Sequence, residues 1–139
     1  STLEALAHRV WREKGHANVV ASLDARMDEV YVGTYRFEQN GASACLVPDF
    51  VGAPEAVEPP DADDWVGAGP GWAACNGALV QRLGDRLVEY YATLLPHALD
   101  IILVAERVFK EGREKPVDEE LPAYLRDKVA LTEKERSGN

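Results

Sequence analysis

Residues 29–37 alternate strictly. Val30, Val32 and Thr34 fall on one parity, and Tyr31, Tyr35 and Phe37 on the other. Successive side chains of a strand point to opposite faces, so this segment predicts a strand that must be covered on both sides. Turn chemistry closes both of its ends. Asp24-Ala25-Arg26-Met27-Asp28 precedes it, and Gln39-Asn40-Gly41 follows it with a pair that accepts the positive φ of a tight hairpin. The apolar run 19–23 supplies a strand before, and residues 43–47 supply one after. Three consecutive strands joined by short turns form an antiparallel meander.

Ahead of the meander, Leu3, Leu6, Ala7, Val10 and Trp11 recur at helical spacing until Gly15. Ser1-Thr2-Leu3-Glu4 has the spacing of a capping box. Glu4, Arg9, Arg12 and Glu13 fall on the water side of this helix, and His8 with them. After the meander, Pro48, Pro54, Pro59 and Pro60 mark an irregular, solvated connection with room for one short helix at 54–57. Trp65-Val66 predicts a brief strand, residues 73–83 a short helix weakened by Gly77, and residues 87–91 another strand. Pro96 suits the first turn of a helix that carries the apolar run 101–105 to Gly112. At 100° per residue that run wraps around the helix, so it predicts cover on more than one side. A mixed-charge tail with Pro116 and Pro122 ends the chain. The whole, residues 1–139, reads as one α/β domain.

Fifteen Lys and Arg stand against twenty-four Asp and Glu, a net charge of −9. Residues 38–80 hold seven acids and neither Lys nor Arg. Such a chain does not bind nucleic acid or an anionic membrane by charge. The two cysteines, Cys45 and Cys75, form no disulfide framework and no zinc site, which fits a reducing cytoplasm. No apolar run reaches the length that spans a bilayer. His8, His16 and His97 lack metal-ligand spacing.

Two motifs merit weighing. In the turn 24–29, Asp24 and Glu29 could act as an acid and base, or Arg26 could hold an anion. A polar turn with an internal arginine–carboxylate pair accounts for the same residues more simply. Gly67, Gly69 and Gly71 after a strand invite a phosphate-loop reading, yet they lack the Lys-Ser/Thr of a P-loop, and Pro70 removes one donor. A tight turn with Trp72 packed beside it is the simpler account.

Ser1-Thr2-Leu3, the stretch from Val20 to Tyr31, the segment Gly69-Pro70-Gly71-Trp72 and Pro122-Ala123-Tyr124-Leu125-Arg126 occur in one order. In that order they resemble the bacterial TsaB family, also called YeaZ, along essentially the whole chain. Asp24-Ala25-Arg26-x-x-Glu29-Val30-Tyr31 is the most specific word. The glycine segment departs from the family form by one inserted residue.

The resemblance implies a ribonuclease-H-like lobe of the actin-like ATPase fold, with a mixed sheet. This chain would be the second lobe of a two-lobed protein, the first lobe being absent from it. The implied role is that of a non-catalytic platform. It would support TsaD, together with TsaE, in threonylcarbamoylation of adenosine 37 of tRNAs that read ANN codons, with no cofactor and no direct nucleic-acid contact of its own. The resemblance also makes Asp24, Arg26, Glu29 and Tyr31 a positioned polar site, Gly67, Gly69 and Gly71 a relic nucleotide loop, and Tyr124 and Arg126 a C-terminal motif. A glycoprotease-type peptidase and a relic nucleotide-binding module are the rival functions. The missing first lobe, or a second copy of the chain, is the expected cover for the helix at 96–111.

Overall fold

A computed structural model describes residues 2–61 and 63–110 of the chain. Helix α1 (Thr2–Lys14) opens it and ends in Gly15, whose φ of 79° is open to glycine at little cost. Strands β1 (Asn18–Arg26), β2 (Glu29–Phe37) and β3 (Ser43–Gly52) follow as the expected meander. Strand β3 runs five residues further than its apolar pattern suggests, past Pro48, because two irregularities in its pairing with β2 absorb the break. Next come a single turn of 3₁₀ helix at Pro54–Ala56, strand β4 (Trp65–Ala68), 3₁₀ turns at Pro70–Trp72 and Ala74–Gly77, and helix α2 (Ala78–Leu83). Strand β5 (Leu87–Tyr91) and helix α3 (Ala98–Lys110) complete the described part.

The strands form one sheet in the order β3-β2-β1-β4-β5. The first three are antiparallel neighbours, and β4 and β5 add on in parallel to β1. Strand β1 is therefore central and buried on both faces, which is why 19–23 is a continuous apolar run and not an alternating one. The alternation of β2 divides two cores. Tyr31, Tyr35 and Phe37 join Leu3, Leu6 and Val10 of α1 on one face. Val30 and Val32 join Trp65, Trp72, Leu79 and Leu83 on the other.

Three local expectations need correction. The helix placed at 73–83 begins only at Ala78, because Cys75, Asn76 and Gly77 all take left-handed φ (55°, 57° and 73°) and break the turn before it. The connection after β3 is not wholly solvated, since Pro54, Val57 and Pro60 are buried and Arg82 Nε donates to the Val57 carbonyl at 2.7 Å. His8 is not a solvated histidine. It is buried, and Arg12 beside it reaches inward as well. Ser1 of the capping box lies outside the described residues, and Glu4 Oε2 accepts a hydrogen bond from Ser43 Oγ at 2.7 Å.

Candidate functional site

The turn between β1 and β2 carries three successive non-glycine residues with left-handed φ: Arg26 at 66°, Met27 at 53° and Asp28 at 62°. Positive φ at Met27 and Asp28 is the twist that a two-residue hairpin requires. Each such residue costs on the order of 1–2 kcal/mol when it is not glycine. An irregularity between Asp24 and Arg26 absorbs the extra left-handed residue, so that Asp24 pairs with Val30 and Arg26 with Glu29. Asp24 Oδ1 accepts the backbone N–H of Arg26 at 2.8 Å, which closes the turn from its own side chain.

The arginine–carboxylate pair expected here does not form: Asp24 Oδ1 accepts the peptide N–H of Arg26 and not its side chain. Among the described residues its guanidinium makes no ion pair and no hydrogen bond. The cause is the left-handed backbone, which fixes the N–H toward Asp24 while the side chain remains exposed. Asp24, Arg26 and Glu29 are all exposed, and Met27 at the tip is 93% exposed. Tyr31 parts from them. It is buried in the core under α1, and its carbonyl accepts Ser22 Oγ at 2.8 Å. The signature word thus combines an exposed tip bearing both signs of charge with an aromatic anchor that holds the tip in place.

The three glycines of the second motif sit in packing. A Cβ on Gly67 would lie 2.4 Å from the Trp72 indole, one on Gly69 2.3 Å from the Ser22 carbonyl oxygen, and one on Gly71 1.9 Å from Ser22 Oγ. Trp72 Nε1 donates to the Val20 carbonyl at 3.0 Å, and Gly69 N–H donates to that of Tyr91 at 3.0 Å. The segment is a tight turn folded onto β1, as its simpler reading has it. Tyr124 and Arg126 lie outside the described residues.

A third cluster gives no signal in the spacing of the sequence. Asp100, in the first turn of α3, is fully buried. Arg12 grips it with two hydrogen bonds, Nε to Oδ1 at 2.9 Å and Nη2 to Oδ2 at 2.8 Å. His8 Nδ1 lies 2.5 Å from Oδ1. Burial pushes the Asp100 carboxyl up, but the hydrogen bonds and charges of Arg12 and His8 outweigh it and hold the group below the usual carboxylate value. The bond to Asp100 raises Arg12 in turn. An ionised carboxylate only accepts, so His8 Nδ1 carries the proton. A carboxylate–imidazole pair can serve a nucleophile, but no Ser, Thr or Cys among the described residues is hydrogen-bonded to His8. The cluster clamps α3 to α1.

Neither cysteine is prepared as a nucleophile. Burial, then the charge of Asp49, pushes the Cys45 thiol up. Burial, then Asp28, Asp24 and Glu55, does the same to Cys75, whereas a reactive thiol needs the opposite shift. Among the described residues no three His, Cys, Asp or Glu side chains are grouped to hold a metal ion, and no helix is long and apolar enough to cross a membrane.

A meander followed by two strands parallel to its first, in the order 3-2-1-4-5 with helices on both faces, defines a domain of the ribonuclease-H-like class. No family model matches the chain. It is 36% identical over 138 residues to the tRNA threonylcarbamoyladenosine biosynthesis protein TsaB of Escherichia coli strain K12, a match that covers 94% of this chain and 57% of that protein. YeaZ from Pseudomonas aeruginosa superposes with a TM-score of 0.72 at 42% identity, over 89% of this chain and 57% of that one. A second solved structure, of a protein with similarity to the peptidase YeaZ from Pseudomonas aeruginosa, gives 0.72 at 40% identity, over 90% and 56%. In sequence and in fold the chain is similar to part of the TsaB (YeaZ) proteins. It spans little more than half the length of these relatives.

Proposed function

We propose that this chain is one lobe of an accessory subunit for tRNA threonylcarbamoyladenosine biosynthesis, working in the cytoplasm as a platform and not as a catalyst. Its match to the Escherichia coli TsaB protein over 94% of its own length carries the reading. The exposed, both-signed tip at Asp24, Arg26 and Glu29 supports it as a contact surface. TsaD and TsaE are the partners. The same protein would carry a further lobe, against which the outer face of α3 would lie. The peptidase alternative has the description of one solved relative behind it but meets raised thiols here, and the nucleotide-module alternative meets a glycine turn already filled by Ser22 and Trp72.

The test replaces the matching segment of Escherichia coli TsaB with this chain and measures the modified nucleoside formed on tRNA with TsaD and TsaE. The chimera supports modification. Arg26→Ala lowers it about tenfold, the loss of ~1.4 kcal/mol of contact, with the melting temperature unchanged. Parallel loss of melting temperature and modification would make the tip structural, and a folded chimera that does not bind TsaD would refute the platform role.

A further inference from the structure

A concave surface lies away from the hairpin, between α1, α3 and the β2–β3 turn, with a volume of about 530 Å³. That size falls among small-molecule sites, which run from about 300 to 1,000 Å³. Half-buried Trp11 lines it, with Phe37 stacked on the indole at 5.8 Å between ring centroids and 18° between planes. His8 also lines it. Asp100 holds its Nδ1, so Nε2 is the ring nitrogen left for a guest.

The opposite wall carries two cations beside one acid, Glu106. Arg107 and Lys110 stand one turn apart on α3. Arg107 Nη2 donates to the Asn40 carbonyl at 2.7 Å, which fixes the guanidinium while leaving other N–H groups to offer. Gly41 makes this approach possible. At its φ of 86°, a Cβ would lie 3.2 Å from the Trp11 ring and 3.3 Å from Arg107 Nη2, so indole edge and guanidinium converge on one point. Lys110 has no ion pair among the described residues; of the other charges in the lining, Arg12 is committed to Asp100, Glu4 is engaged by Ser43, and Glu106 stands beside Arg107, leaving the cations in excess. In a chain of net charge −9, two placed cations beside an indole make an uncommon local environment.

We propose that this cleft binds a small aromatic anion, with its flat ring against Trp11 and its phosphate or carboxylate on Arg107 and Lys110. A cationic guest would meet these two charges head-on. A neutral apolar one would leave them desolvated without a partner. Bidentate capture by arginine and a point charge from lysine match an oxyanion, and the indole supplies the stacking surface.

The probe is adenosine 5′-monophosphate added to the full chain, with adenosine and inorganic phosphate as separate arms. Trp65 and Trp72 are fully buried, so quenching of tryptophan emission reports Trp11, and calorimetry gives affinity independently. Saturable binding of the monophosphate is expected, with each half-ligand at least about tenfold weaker and with affinity falling as salt rises. Lys110→Gln, which breaks no hydrogen bond or ion pair among the described residues, weakens the monophosphate about tenfold with an unchanged melting temperature, and Trp11→Phe removes the quenching. The proposal is overturned by absence of saturable binding at millimolar probe, by phosphate binding as tightly as the monophosphate, or by an affinity indifferent to Lys110→Gln.

Discussion

Asp100 is the side chain on which the arrangement of the two long helices turns. It is fully buried, and its charge is met by a bidentate arginine and an imidazole. A buried carboxylate with such partners is strongly coupled to them. Removing one member of a buried pair costs on the order of 3–5 kcal/mol. Because Arg12 is partly open to solvent and can turn to water, Asp100→Ala is expected at the low end, near ~3 kcal/mol by urea unfolding. Asp100→Asn loses the charge, keeps a single acceptor oxygen and sets an NH2 donor against Arg12 Nη2, so it too is destabilising at neutral pH. The pH dependence has a definite sign. The folded carboxyl sits below its unfolded value, so its contribution is fully present above the ordinary carboxylate range and is lost as pH falls through the lowered value. Unfolding midpoints of the wild type and Asp100→Asn should therefore differ at neutral pH and converge in acid. A gap that stayed constant down to pH ~2 would show that the charge contributes nothing.

At the level of elements, the meander, the first helix and the short strands are all visible in local patterning, since each needs only its own period and turn residues. The clamp is not visible in that way. Glu4, His8 and Arg12 follow one another at four-residue spacing on α1, and a stripe of that kind normally meets water. Its partner is 88 residues further along, and α3 turns inward by Asp100 and Val104 while Leu99, Ile101 and Ile102 stay exposed. Periodicity within one helix cannot announce such an inversion. The signature hairpin was legible as a turn, but its three left-handed residues were not, because Arg, Met and Asp carry no glycine flag. That geometry makes a prediction. Met27→Asn with Asp28→Gly installs the pair that a two-residue hairpin prefers, and should stabilise the chain by ~1 kcal/mol, read as a higher melting temperature. An unchanged or lower melting temperature would mean that the turn does not hold positive φ in solution.

For the molecule as a whole, the apolar run on α3 determines what the domain can be alone. Ile101 is 48% exposed, Ile102 55% and Phe109 85%, with Ala98 and Ala105 between them on one side of the helix. Adjacent apolar side chains of this number mark a surface that meets another surface. More than two fifths of the Escherichia coli protein lies outside the match, ample for the proposed further lobe. Two outcomes follow for the 139-residue chain in light scattering at micromolar concentration. Unaided, it associates, and more so in salt, because a net charge of −9 opposes contact between copies. Ile102→Lys with Phe109→Lys returns it to the mass of a monomer without lowering its melting temperature, because both side chains already face outward. When the chain is placed in the Escherichia coli framework, the same double variant should lower the melting temperature, because the proposed further lobe would then cover the face. A wild-type chain that is monomeric at every salt concentration, and a framework protein indifferent to the two lysines, would together show that α3 meets neither a second lobe nor a second copy.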